Sequence, residues 1–502
     1  MSLKKNIVAN YIGAGWTALM NLAFIPMYIR YLGMESYGLI SIFAMLQGFL
    51  SLLDLGMAPT ISREMARLRR GIEDNRSARN LLRSVEIVAA CVAFIMMFGF
   101  WLASSWLAND WFVVKNLPIH VVVRALTIMG GLIGLRIIEN IYRSALVGLQ
   151  RQVLLNVIIS FTATLRGLGA VAVLVLLSNS IQAFFFWQLL VSVIGVGLMA
   201  AATYPLLRDA DGKVATFSVR ALKEIRHFAA GTMAITCLSL LLTNMDKILL
   251  SRLLPLQAFG YYAFAVVVAQ APLGFVAPVA QAFYPRFTYL HSHGSQSGLV
   301  AAYHSAAQLI TVLLGSAAAF IILFAPEVLE VWTRNVELSE RTYALVLVLS
   351  VGTLCNGLMT IPYFLQLSSA WTGLTIRVNL VAISLVVPAL LFFVPKYGAM
   401  AAAWVWLTLN ASYVVVVIPF MHRRILPNEK WHWYIRDVAI PLAAVFAIGV
   451  LLRFLFPAYL EERQKIVALA GCATLLILVA VSAAPIIRGQ VLKILGWNNG
   501  TT

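Results

Sequence analysis

Arg30-Tyr31-Leu32-Gly33-Met34-Glu35-Ser36-Tyr37-Gly38 returns, 222 residues further on, as Arg252-Leu253-Leu254-Pro255-Leu256-Gln257-Ala258-Phe259-Gly260. No gap is needed, and Arg, Leu, an aromatic and Gly stay in step. Each copy follows a long apolar segment. The same offset carries Asn10, Thr17 and Asn21 onto Thr232, Ser239 and Thr243. The chain therefore reads as two copies of one unit, with matching polar faces suited to line a shared cavity. The symmetry breaks where Phe24 stands in place of Asp246 and Ile25 in place of Lys247, and Arg166 has no twin.

The surroundings of the echo identify the solvent. Of 502 residues, 61% are hydrophobic and 11% charged, and the mean hydropathy is +0.88. A soluble domain carries about 25% charged residues, so the bilayer is the solvent here. A helix needs about 20 apolar residues to cross it, and about fourteen such runs occur. They lie near 7–29, 38–60, 84–106, 119–142, 154–177, 181–203, 228–251, 261–284, 304–325, 343–367, 372–394, 398–420, 437–456 and 466–487. The first is too long for a signal peptide core and lacks a small-residue cleavage site, so it reads as a retained span. The expected fold is an all-α integral membrane protein of about 14 transmembrane helices.

A net charge of +17 could suggest nucleic acid, but its placement does not. With the N-terminus in the cytoplasm and the loops alternating, 23 of the 37 Lys and Arg fall on the cytoplasmic side and nine on the outer side, counting Arg453 near the outer end of its span. Five lie within spans: Arg124, Arg136, Arg166, Lys247 and Arg377. That is the positive-inside bias of a multi-pass protein. The expected location is the bacterial cytoplasmic (inner) membrane, with both termini cytoplasmic and no nucleic-acid partner.

Six spans (1–207), a basic amphipathic cytoplasmic linker (208–227), six more spans (228–425) and a pair with a cytoplasmic tail (426–502) make the expected plan. An even number of spans separates the copies, so the repeats are parallel, related by an axis along the membrane normal. A substrate path then runs in a central cavity between two six-helix lobes. The last two spans have no counterpart. No loop outside the membrane exceeds roughly 20 residues, which leaves no room for an extramembrane catalytic domain. The chain has no phosphate-binding loop, no H-E-x-x-H and no C-x-x-C. The four cysteines, Cys91, Cys237, Cys355 and Cys472, all sit inside apolar runs and suit packing better than a disulfide or metal site. Neither enzyme activity nor a cofactor is expected.

Charge inside the spans marks the candidate site, because a charge at the bilayer centre costs about 2.5–3.5 kcal/mol on insertion scales. Thr232, Thr236, Ser239, Thr243 and Asp246 recur at helical spacing on one face of the seventh span. Hydroxyls alone more often knit helices together; the carboxylate tips the stripe towards a cavity. Lys247, next to Asp246, can pair with it only in part or snorkel outward. Arg166 falls near the midplane of the fifth span. Arg136 and Glu139 share a face of the fourth, where an ion pair of Glu139 with one arginine is the plain alternative. Arg377 lies in the inner third of the eleventh span. Asp54 ends the second span and could pair with the Arg63–Arg70 cluster. Basic groups outnumber acids, and a cationic cavity suits phosphate oxygens. Pro26, Pro272, Pro278, Pro362 and Pro388 are expected kinks.

Several motifs are familiar. Asp54-Leu55-Gly56 with Arg63, Tyr31-Leu32-Gly33 with Tyr37-Gly38, Asp246-Lys247-Ile248-Leu249-Leu250 with Gly260-Tyr261, and Tyr397-Gly398-Ala399-Met400-Ala401 occur in that order. Together, over roughly 1–425, this pattern resembles O-antigen and exopolysaccharide flippases. These are bacterial polysaccharide transporters of the multidrug/oligosaccharidyl-lipid/polysaccharide exporter superfamily. The resemblance implies two six-helix lobes around a central cavity. It implies an undecaprenyl-diphosphate-linked oligosaccharide as substrate, moved from the inner to the outer leaflet. It also implies a polysaccharide polymerase and a chain-length regulator as partners. The matching positions are Asp54, Arg63 and Asp246; the deep arginines belong to no motif.

The expected function is thus a lipid-linked oligosaccharide flippase working by alternating access. Arg166, Arg136 and Arg377, with Lys247, would attract the diphosphate. Asn10, Thr17, Asn21, Ser239 and Thr243 would meet sugar hydroxyls. Asp246 and Asp54 would couple transport to H⁺ or Na⁺. The rivals are a cation-coupled multidrug exporter of the same superfamily, which would want a more acidic cavity, and a membrane polysaccharide polymerase or ligase, which would want a large outside loop.

Overall fold

The computed structural model describes residues 3–49, 57–69, 75–207, 240–241, 243–369, 371–457 and 459–494. Asp54, Thr232, Thr236, Cys237, Ser239 and the expected linker at 208–227 lie outside the described residues. Among the described residues the chain is helical, broken by turns and one isolated bridge between Val113 and Pro255.

The chain divides into two units, Met1–Gly260 and Tyr261–Thr502. In the first, α1 (Leu3–Ala23), α2 (Ile25–Gly48) and α3 (Met57–Arg69) precede four long apolar helices. These are α4 (Arg76–Trp111), α5 (Ile119–Gly148), α6 (Gln152–Leu176) and α7 (Ile181–Leu207). Residues 243–253 form α8. The helix α9 (Leu256–Ser292) carries the boundary. The second unit continues with α10 (Gln296–Thr333), α11 (Val336–Ser368), α12 (Gly373–Tyr397), α13 (Ala399–Ile425), α14 (Lys430–Leu455) and α15 (Glu462–Ala483), closed by α16 (Pro485–Ile494).

Eleven described helices are long and apolar enough to span, or up to 12 when α1 and α2, bent by 43°, count as one broken span. The expected seventh span, 228–251, lies mostly outside the described residues. Large apolar side chains such as Phe94, Ile95, Phe98 and Trp101 on α4 face outward. In a bilayer that is the inexpensive side for them, since the surrounding acyl chains are as apolar as the core. The chain is a multi-pass membrane protein.

The repeated stretch, 30–38 and 252–260, falls at the same structural event in both copies. Gly33 leaves the helical region with φ 78° and ψ 166°, breaking α2 where the first two expected spans part. A residue with a Cβ is strained at that φ. At the equivalent position Pro255 ends α8, and α9 starts at Leu256. Five residues on, the copies meet. A Cβ on Gly38 would lie 2.5 Å from the Leu256 carbonyl oxygen, and one on Gly260 would lie 2.5 Å from the Met34 carbonyl oxygen. Met34 and Leu256 are themselves equivalent, so the contact is reciprocal: each copy's glycine seats the other copy's helix start.

Glu35 fixes the neighbouring turn. Its buried carboxylate accepts hydrogen bonds from the backbone N–H groups of Lys115, Asn116 and Leu117 at 2.7, 2.9 and 3.1 Å. The turn joining α4 to α5 thereby has one buried acceptor for three of its backbone donors. Glu35→Ala should lower stability by about 1.5–3 kcal/mol, with Glu35→Gln intermediate. Thermal unfolding in detergent reads this, and an unchanged midpoint in Glu35→Ala would remove Glu35 from the anchor.

Prolines act as breaks where they meet a helix start. Pro26 begins α2 after the bend at Phe24, Pro272 begins a 3-10 turn in α9, and Pro362 follows the break in α11 at Met359. Pro278 lies in the first turn of the helix that resumes at Val276. Pro388 differs from expectation: it sits inside an unbroken helix. Membrane helices tolerate this because neighbouring groups re-satisfy the freed carbonyl. A break that the sequence reading missed occurs at Phe324 (φ −119°, ψ 22°), ahead of Pro326 in α10.

Candidate functional site

Three charges of the first unit gather at one place. Arg136 projects from α5 and Arg166 from the middle of α6. Both donate to the same oxygen, Glu139 Oε2, from Arg136 Nη1 at 3.1 Å and Arg166 Nη2 at 3.2 Å. Arg136 and Glu139, three apart, share a helix face. Arg166 reaches them from the neighbouring helix. The three side chains are only 19%, 11% and 17% exposed.

Two guanidinia on one carboxylate leave a surplus positive charge. Glu139 alone does not satisfy the donors either: the Nε of Arg136 and the Nε of Arg166 are both buried without a hydrogen-bond partner. A buried donor without a partner costs about 1–3 kcal/mol, which a ligand bringing acceptor oxygens would relieve. The backbone of Gly195 packs beside Arg166: a Cβ there would lie 3.9 Å from Nη2. Next along α6, the ring of Phe24 lies against Gly167. The residue standing in for Asp246 in the first copy thus supplies an apolar wall next to the cationic cluster. Electrostatically the site suits an anion, and guanidinium forks suit phosphate oxygens.

The other residues expected at the site are placed as follows. Asn10 turns to α6: it donates to Gln152 Oε1 at 3.1 Å and accepts from Asn156 Nδ2 at 2.6 Å. With Trp16 donating to Thr164 at 2.8 Å, this end of the stripe knits α1 to α6. Thr17 donates to its own helix at Gly13. Asn21 is exposed. On α8, Thr243 donates to the Leu240 carbonyl at 3.3 Å, and Lys247 Nζ approaches Asp246 at 3.4 Å. Adjacent residues on a helix point about 100° apart, so only the length of the lysine stem closes this pair. Arg377 lies exposed on α12, in the second unit, without an ion pair among the described residues. Arg124 and Arg143 are exposed and stand outside the cluster.

The described helices make this a multi-pass helical membrane protein, and its fold is that of solved transporters of the MOP superfamily. Its fold is similar to that of the lipid II flippase MurJ in an inward closed conformation, with TM-score 0.66 and 11% identity over 98% of this chain and 99% of that one. An inward-facing MATE-family multidrug resistance transporter of the MOP superfamily also gives TM-score 0.66, at 15% identity over 82% of this chain and 94% of that one. The chain belongs to the polysaccharide biosynthesis protein family, whose sequence model matches residues 3–291. It is 22% identical over 414 residues to a protein of Shigella flexneri named, provisionally, as an O-antigen transporter, which covers 81% of this chain and 94% of that protein.

Proposed function

We propose that this chain flips undecaprenyl-diphosphate-linked oligosaccharide units from the cytoplasmic to the outer leaflet of the bacterial inner membrane. The units would serve O-antigen, capsule or exopolysaccharide synthesis. One observation carries the reading: the two buried guanidinia of Arg136 and Arg166 share a single carboxylate and keep free Nε donors. A diphosphate supplies what that cluster lacks, negative charge and several acceptor oxygens. The family, the relative named for O-antigen transport and the likeness to a lipid II flippase support the same class of cargo.

In this reading the diphosphate docks at Arg166 and Arg136, and the lipid tail stays in the acyl region. Arg377 and Lys247 are proposed as further contacts for the anion along the path. Asn21, Thr17, Thr243 and Ser239 are proposed to meet sugar hydroxyls, with Asn10 contributing only when its bonds to α6 open. Asp246 and Asp54 remain the proposed coupling groups for H⁺ or Na⁺, and the two repeats the proposed moving parts. Cytoplasmic termini, a polymerase and a chain-length regulator belong to the same proposal. A multidrug exporter shares the fold, but its usual cationic cargo would be repelled by the surplus charge at Arg166.

Reconstituted vesicles test this. A lipid-linked oligosaccharide placed in the inner leaflet should become accessible to an external lectin far faster with the protein than in empty vesicles. Equal rates in the two preparations would reject the flippase reading.

A further inference from the structure

The second unit holds a cluster that the transport reading does not use. His304 lies in the third turn of α10. Glu429 precedes α14, and His432 and Asp437 belong to its first turns. Glu429 and His432, three apart on a helical turn, face the same way. His304 Nε2 is 3.0 Å from Glu429 Oε2, and His432 Nδ1 is 3.9 Å from the same oxygen. The two imidazole rings lie 4.2 Å apart between centroids, tilted by 31°. On the far side of the His304 ring, Nδ1 is hydrogen-bonded to Asp437 Oδ2.

We propose that His304, Glu429 and His432 bind a divalent transition-metal cation of the zinc class, with Asp437 as the carboxylate that orients His304. A four-coordinate zinc-class ion holds nitrogen and oxygen donors at about 2.0–2.2 Å, which places them about 3.3 Å from one another. The observed spacings of 3.0 and 3.9 Å to Glu429 bracket that value. Ligand atoms of His304, His432 and Asp437 also lie within 4.8 Å of one another. Glu429 is the better third ligand, because Asp437 is already engaged. Its side chain is wholly buried, one oxygen meets His304 Nδ1, and the other accepts from Gln308 Nε2 at 2.9 Å. Gln308 is held in turn, its Oε1 accepting from the backbone N–H of Ile486 at 3.0 Å. A carboxylate behind a ligating histidine fixes the tautomer and leaves Nε2 as the lone-pair donor. Nitrogen donors select zinc-class ions over magnesium or calcium.

The site is reachable. α10 is 38 residues long, about 57 Å against a hydrocarbon core of about 30 Å. His304 lies about 12 Å from its start, and the His432 and Glu429 side chains are 37% and 26% exposed. An ion there would cross-link α10 to the beginning of α14, while Gln308 ties in the start of α16. The C-terminal helices, which have no counterpart in the repeat, would thereby be clamped to α10 within the second unit.

The competing arrangement needs no metal: a His304 imidazolium bridging Asp437 and Glu429. His432 separates the two, being a ligand in one and dispensable in the other. The full chain, without a polyhistidine tag, is stripped with a chelator in detergent and titrated with Co²⁺ and Zn²⁺. The expected result is one Co²⁺ per chain with a four- or five-coordinate visible spectrum, and a rise in the unfolding midpoint with Zn²⁺ but not Mg²⁺. His432→Ala and Glu429→Gln, each checked as monodisperse, should each weaken binding at least tenfold. A wild-type chain without the spectrum and the shift would overturn the site. So would wild-type binding in both variants, or an equal response to Mg²⁺. These readouts do not involve transport, so their outcome is independent of the flippase reading.

Discussion

Gly38→Ala and Gly260→Ala are each expected to destabilise the protein by about 1–3 kcal/mol, the usual cost of overpacking a tight contact. A larger effect is expected for valine. The added Cβ would come within 2.5 Å of a backbone carbonyl oxygen, Leu256 in one case and Met34 in the other. A side chain can rotate away from such a clash. A carbonyl inside a helix cannot, so the helix starts must separate. Because the two glycines serve one reciprocal contact, the double variant should cost less than the sum of the singles. Thermal unfolding of the three variants in detergent reads both the size and the coupling. Wild-type midpoints in both single variants would mean that the two helix starts do not pack as described.

The second large effect concerns Arg166. Arg166→Ala leaves Arg136 paired with Glu139, so the cluster becomes neutral while its ion pair survives. The loss of one charge-assisted contact to a phosphate oxygen is worth about 1.5–3 kcal/mol, or about 10- to 100-fold in rate or affinity. Glu139→Gln acts in the opposite sense. It raises the net charge but removes the oxygen that holds both guanidinia, at 3.1 and 3.2 Å. Binding of a lipid diphosphate should then persist with stronger salt dependence, while stability falls because two buried arginines lose their partner. A plain structural ion pair predicts otherwise: Arg166→Ala would reduce stability as Glu139→Gln does, and neither would alter transport per folded molecule.

What was legible in the sequence follows from what each interaction is made of. The nine-residue echo and the spans could be read because apolar length and Gly or Pro placement are properties of the local chain. Arg136, Glu139 and Arg166 stand out because charge in an apolar run is conspicuous, and a pair of Glu139 with one arginine is the plain alternative to a ligand site. That both arginines share one oxygen depends on the register of α5 against α6, which no local pattern encodes. Glu35 carries no local signal of its role, since its partners are backbone N–H groups about 80 positions away, and every residue type but proline offers those. His304 and Asp437 lie 133 apart, with no ligand spacing to flag them. Asn10 was expected to line a cavity on its helical face alone. Its bonds to Gln152 and Asn156 are the interhelical contact that a polar residue in a membrane helix equally well makes.

Translocation in reconstituted vesicles, comparing wild-type protein with Arg166→Ala at matched folded content, tests the cationic cluster most directly. A lipid-linked oligosaccharide in the inner leaflet should reach the external lectin about 10- to 100-fold more slowly with Arg166→Ala, while both proteins insert and unfold alike. An unchanged translocation rate in the variant would take the cluster of Arg136, Glu139 and Arg166 out of the substrate path.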